Sequence, residues 1–203
     1  MIYEHKNFFI NCISKTGSKS SSGWCEQNGM KPMKAFYPGK PMFATMLDNR
    51  SRVLSGIAED LHYRAIKKYN LTALEKFCDV EHLFKSKVDK WLQETDWYQT
   101  DILPISTEQC HYAPLSLYFH LLDIKLDNVR WIHATNLLDI SQLINDSLGI
   151  DQHLTPLLVE QFNFETFRPG KEWYWNILSK NKGFVKWFEL YVSRQYNPTY
   201  LTV

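Results

Sequence analysis

Residues 7–22 read Asn7-Phe8-Phe9-Ile10-Asn11-Cys12-Ile13-Ser14-Lys15-Thr16-Gly17-Ser18-Lys19-Ser20-Ser21-Ser22. The apolar, β-prone run Asn7–Ile13 reads as a buried strand, and the switch to Lys, Gly and hydroxyl residues reads as a tight turn. Ser18–Gln27 predicts a helix, with hydroxyls available to cap its start and Gly29 placed to stop it. A strand, a glycine-containing turn and a helix start make an anion cradle. The helix N-terminus presents backbone N–H groups, its dipole favours negative charge, and a lysine adds a point charge. A Walker A loop needs G-x-x-x-x-G-K-[ST]. Here Ser18 separates Gly17 from Lys19, and Cys12 stands where the first glycine belongs, so that reading fails twice.

Outward from this stretch the hydrophobic period sets the remaining expectations. Met33–Tyr37 and Pro41–Leu47 read as short strands around a turn at Pro38-Gly39. Val53, Leu54, Ile57, Leu61 and Ala65 share one helical face, so Ser51–Tyr69 predicts an amphipathic helix, and Leu74–Leu92 another. Asp96–Cys110 is a polar, proline-containing connection. Leu115–His120 and Val129–His133 read as strands flanking a turn at Leu126-Asp127-Asn128. Asp139–Leu148 reads as a helix with an Asp-x-x-Gln start and Gly149 as its stop. Residues 151–183 read as loop-rich, and Phe184–Tyr196 as a last helix. The early alternation of strands and helices predicts an α/β fold, a P-loop-like parallel sheet flanked by helices, as a single domain over 1–203.

Composition bounds the function classes. The 203 residues carry 23 Lys+Arg against 22 Asp+Glu, a net charge of +1, which argues against a general nucleic-acid surface. With 44% apolar and 15% aromatic residues, the chain has the material for a packed core. Cys12, Cys25, Cys78 and Cys110 form no Cys-x-x-Cys pair and read as reduced thiols of an intracellular protein. No run approaches a membrane span, and Phe8–Ile13 is too short for the apolar region of a signal peptide, so a cytoplasmic chain without a membrane partner is expected.

The segment Lys15-Thr16-Gly17-Ser18, with Ser20 after it, resembles the 5′-phosphosulfate loop of sulfotransferases that use 3′-phosphoadenosine 5′-phosphosulfate (PAPS), especially the carbohydrate type. The resemblance implies that Lys15 contacts the phosphosulfate and its bridging oxygen. It also implies that Thr16, Gly17, Ser18, Lys19 and Ser20 wrap the 5′-phosphate; Lys19 departs from the second hydroxyl residue common in the family. Residues 42–56, MFATMLDNRSRVLSG, resemble the family's Arg-Asp-Pro-x-x-Arg-Phe-x-Ser-Gly stretch, whose first Arg and whose Ser bind the 3′-phosphate. Asp48, Arg52, Ser55 and Gly56 keep the spacing, Asn49 replaces the proline, and Leu47 replaces the first arginine. Arg50 or Arg52 is then left to reach the phosphate.

A His-aromatic-x-Pro run at His111–Pro114, the Asn136-Leu137 pair with its helix ending Leu148-Gly149, and a basic turn at Lys180–Gly183 follow in the family's order. Thr135 stands where the family commonly has a glutamate. Lys182 is a further candidate for the 3′-phosphate. The resemblance implies a sulfuryl transfer from PAPS to a hydroxyl of a carbohydrate or small-molecule acceptor, leaving adenosine 3′,5′-bisphosphate. Such a transfer calls for a base within reach of the acceptor, and Glu26, His62 and His111 are the candidates. Trp24, Tyr37, Trp97 and Trp173 offer rings that stack on a sugar or adenine. Two other readings stand beside it: a relative that binds the nucleotide without transfer, and a nucleotide phosphotransferase with an off-pattern loop.

Overall fold

Phe9, Ile10 and Asn11 alternate between two buried layers, which is why this strand reads as a continuous apolar run rather than an alternating one. The computed structural model describes residues 1–13, 18–33, 37, 39–69, 114–120, 123–157 and 170–202. In chain order these form β1 (Ile2–Glu4), β2 (Phe9–Asn11), α1 (Ser18–Gln27), β3 (Lys31–Pro32), β4 (Met42–Met46), α2 (Asn49–Tyr69), α3 (Leu115–His120), β5 (Val129–His133), α4 (Ile140–Leu148), α5 (Lys171–Leu178) and α6 (Lys182–Ser193). Short 3₁₀ turns at Leu126–Asn128 and Ala134–Asp139 flank β5. The helix expected at Leu74–Leu92 and the connection Asp96–Cys110 lie outside the described residues.

The architecture is α/β, with a five-stranded sheet in the order β3-β1-β2-β4-β5. The sheet is mixed, where an all-parallel one was expected. β2, β4 and β5 run parallel, with Phe9 opposite Met42, Ala44 opposite Trp131 and Met46 opposite His133. β1 joins β2 antiparallel, and β3 joins β1 antiparallel. Such tight antiparallel additions need only short connections, whereas each parallel neighbour needs a long crossover.

The chain clusters into two compact units: Met1–Arg52 with Pro114–Gln161 and Tyr196–Val203, and Val53–Ala113 with Phe162–Gln195. In the first unit both sheet faces are covered. Ile10, Phe43 and Ile132 lie in one cluster with Trp24 and Cys25 of α1 and Leu143 and Ile144 of α4. Phe9, Met42, Ala44 and Trp131 lie in the other with Leu115 and Phe119 of α3. Trp24, fully buried, donates its indole N–H to the Thr155 carbonyl at 2.9 Å and to Ser141 Oγ at 3.3 Å, tying α1 to α4 and the segment that follows. In the second unit the buried face of α2 carries Val53, Leu54, Ile57 and Leu61. Phe184 and Phe188 of α6 stack at 5.8 Å, with Trp175 of α5 against Phe188 at 5.2 Å.

Several elements differ from expectation. Leu115–His120 is a helix rather than a strand, and its buried residues, Leu115 and Phe119, are one helical turn apart. The strand expected at Met33–Tyr37 is instead Lys31–Pro32, with residues 34–36 outside the described ones. Asp139 makes no side-chain cap at the start of α4, although Gly149 stops that helix at φ +69° as expected. Within 151–183, α5 is a helix whose Tyr174, Ile177 and Leu178 are buried.

Candidate functional site

The three parallel strands end on the same side of the sheet, at Asn11, Met46 and His133. In open α/β sheets ligands sit outside the carboxyl ends of parallel strands, where connections to helices leave a crevice. Each strand here leads toward a helical start: β2 through residues 12–17 to α1, β4 through Leu47 and Asp48 to α2, and β5 directly into the 3₁₀ turn from Ala134. The two α-helices bring backbone N–H donors and the positive ends of their dipoles toward this edge.

Lys15, Thr16, Gly17 and His111 lie outside the described residues. Ser18 and Lys19 open α1, and Ser20 is half-buried in its first turn. Ser21, buried on the same helix, donates to Thr45 Oγ1 across 3.5 Å, a long contact that faces α1 toward β4. Glu26 lies near the far end of α1, roughly 12 Å along the helix from Ser18 at 1.5 Å per residue. There its carboxylate accepts the Tyr3 hydroxyl at 3.0 Å. Arg50 is exposed, whereas Arg52 is wholly buried in the opening turn of α2. Ser55 is half-buried one turn further along α2 and His62 is buried beyond it, both in the second unit. Lys182 is exposed at the first position of α6, also in that unit, and Asn181 caps the helix by accepting the Phe184 N–H at 3.1 Å.

Asp48, which the sequence placed in a phosphate-binding pattern, has a local duty: its Oδ1 accepts the Ser51 N–H at 2.8 Å and caps α2. Leu47 presents its carbonyl to the Tyr200 hydroxyl at 3.4 Å. Of the aromatic candidates, Trp24 is committed to the core and Tyr37 hydrogen-bonds Glu4 at the opposite edge of the sheet. Trp173 is half-buried in α5, and Trp97 lies outside the described residues.

Two carboxyl-edge residues escaped the sequence reading. His133, the last residue of β5, has Nδ1 at 2.7 Å from Thr135 Oγ1, whose single proton is directed to Asn136 Oδ1 at 3.1 Å. Nδ1 also accepts the Thr135 backbone N–H at 3.4 Å, which makes His133 the cap of the 3₁₀ turn that follows. Tyr200 packs edge-on against the His133 ring at 4.8 Å. Burial, and after it the charge of Asp48, pushes the Tyr200 phenol up to about 12, so it stays a neutral donor. His133 was legible as a residue ending a parallel strand; Tyr200, far along the chain, carried no such mark.

For a nucleotide phosphate the edge supplies helix N–H donors and the exposed Arg50, with Arg52 wholly buried in the same turn, and Asp48 accepts a backbone N–H. Among the described residues no group of three His, Cys, Asp or Glu side chains is arranged to hold a metal ion, and no helix is long and apolar enough to cross a membrane. No protein-family model, curated protein or solved structure matches this chain.

Proposed function

We propose that the chain binds PAPS at the carboxyl edge of its parallel strands and transfers the sulfuryl group to a hydroxyl of a carbohydrate or small-molecule acceptor. One observation carries this reading. β2 ends at Asn11 and α1 begins at Ser18, so the Lys-Thr-Gly-Ser sequence links the two, and β4, the parallel neighbour of β2, leads into a helix whose opening turn carries Arg50 and Arg52. The acceptor oxygen bonds to sulfur as the bond from sulfur to the bridging phosphate oxygen breaks. Catalysis then rests on position and charge neutralisation, as in phosphoryl transfer. Lys15 neutralises the leaving oxygen, the amides that follow hold the 5′-phosphate, and Arg50 or Arg52 reaches the 3′-phosphate. The acceptor's proton goes to a histidine: His111 of the sequence pattern, or His133 at the end of β5.

The test is a thermal-shift titration with adenosine 3′,5′-bisphosphate. Stabilisation that Lys15→Ala weakens at least tenfold supports the reading; no shift at saturating nucleotide overturns it. ATP with Mg²⁺ displacing the bisphosphate points instead to a nucleotide phosphotransferase. Leu47 in place of the family's first arginine favours a second reading, a binding relative without transfer. Bisphosphate binding with no sulfate transfer across a broad acceptor panel selects it.

A further inference from the structure

After α6 the chain returns to the first unit, and β5, the last strand of the sheet, has an open edge that needs cover. Residues 196–201 supply it. Tyr196 is fastened three ways: its carbonyl accepts the Asn49 side-chain amide at 2.9 Å, its hydroxyl donates to Asp127 at 2.9 Å, and its ring lies 5.9 Å from that of Trp131. Tyr200 joins β5 through an isolated parallel bridge to Trp131, where the Leu201 N–H donates to the Trp131 carbonyl at 2.8 Å. The Tyr200 side chain then reaches the carboxyl ends of both strands. Its hydroxyl donates to the Leu47 carbonyl just past β4 at 3.4 Å, and its ring stands edge-on to His133 at the end of β5, 4.8 Å away. We propose that residues 197–201 form a latch, anchored at Tyr196, that closes over His133 and the end of β4 and opens to admit a ligand there. This inference stands whether or not the sulfuryl-transfer reading holds.

The two ends of this segment are held with unequal strength. Tyr196 has two hydrogen bonds of ordinary length and a ring contact. Beyond it the fastening is thin: β4 and β5 pair over five residues, Met42–Met46 against Val129–His133, whereas the latch has its one isolated bridge and a long hydroxyl contact. Asn197 and Thr199 are exposed, and Tyr200 and Leu201 are half-buried. A segment with so little buried apolar surface opens locally, at far less cost than unfolding the sheet beneath it. What the latch covers is the end of the sheet where ligands of open α/β folds bind. The His133 ring does not depend on the latch for its place. Its Nδ1 lies 2.7 Å from Thr135 Oγ1 and accepts the Thr135 N–H, so the imidazole stays positioned when Tyr200 withdraws. Opening therefore changes access to His133 and to the Leu47 carbonyl, and leaves the strand ends themselves in order.

Amide hydrogen exchange of the full chain tests the opening, and modification of its histidines by diethyl pyrocarbonate at neutral pH tests the masking. The Leu201 N–H should exchange at least about a hundredfold faster than the amides of β4, which open only with the sheet. His133 should be modified at least about fivefold more slowly than His153, whose side chain is 86% exposed. Tyr200→Ala should bring the His133 rate close to that of His153 while the β4 amides stay as protected as in the native chain. Tyr200→Phe, which keeps the ring, should leave His133 slow. Leu201 exchanging in step with β4 would show a fixed strand and overturn the latch. So would a native His133 as reactive as His153, or one whose rate Tyr200→Ala leaves unchanged. If Tyr200→Ala fails to fold, the exchange of Leu201 and the His133 rate in the native chain decide the matter.

Discussion

The two edges of the parallel strands are built on opposite principles. At the amino edge, side chains close the sheet on itself. Lys40 Nζ donates to Glu4 Oε1 at 2.6 Å and to the His5 carbonyl at 2.9 Å, its ammonium lies 5.2 Å from the Phe9 ring, and the Tyr37 hydroxyl bonds the same carboxylate. At the carboxyl edge the strands lead into helix starts, and Asp48, Arg52, His133 and Tyr200 collect there. One edge is closed by the Lys40–Glu4 ion pair, and the other brings together the backbone donors of helix starts. A ligand with negative charge is served by the second arrangement and not by the first.

The sharpest break of this contrast comes from Arg52. It is fully buried in the opening turn of α2, so Arg52→Ala strips a desolvated guanidinium and leaves the groups around it short of a donor. Such losses run to about 3–5 kcal/mol. Arg50→Ala, at an exposed position of the same turn, should stay within about 0.5 kcal/mol. Urea unfolding of the two variants measures the difference. Equal small losses would mean that Arg52 is not part of the edge's framework. Next in size, Asp48→Ala removes the α2 cap and should cost about 1 kcal/mol, with Asp48→Asn recovering most of it. Recovery by Asn identifies a cap; failure to recover identifies a need for the carboxylate charge.

How far the sequence revealed these edges follows from the range of each interaction. α1 was legible at both ends because its signals are local: hydroxyls at the start, and Gly29 at φ +67° just past the end. Val129–His133 was legible because its β-branched and aromatic residues favour a pleated strand. Leu115–His120 was not, since a six-residue apolar run fits strand or helix until burial shows Leu115 and Phe119 sharing a face. α5 was hidden by Trp173, Tyr174 and Trp175, whose strand preference is outweighed by the burial of Tyr174, Ile177 and Leu178 one turn apart. β1 has three residues, too few for any period, and exists through its register with β2. At the site, Arg52 was legible by spacing and its burial was not. The His133–Tyr200 contact joins residues that only the sheet brings together.

The smallest expected effect belongs to the amino edge, and its pH dependence has a definite sign. The Lys40 ammonium first, and the Tyr37 hydroxyl after it, hold the Glu4 carboxyl below its ordinary value of 4.5. A carboxyl whose folded value is depressed binds its proton more weakly in the folded chain than in the unfolded one. Its contribution to stability is therefore complete above pH 4.5 and is lost as the pH falls through the folded value. Glu4→Gln removes that contribution at every pH. The melting-temperature gap between the native chain and Glu4→Gln should thus be widest near neutrality and close in acid. Both partners are partly exposed, at 24% and 29%, so the gap should be modest and should shrink further in high salt. A gap that persists unchanged to pH 3 would show that Glu4 acts through packing or hydrogen-bond shape rather than charge. The amino edge would then be closed by the same kind of short-range fit that closes the core, and the electrostatic contrast between the two edges would rest on the carboxyl side alone.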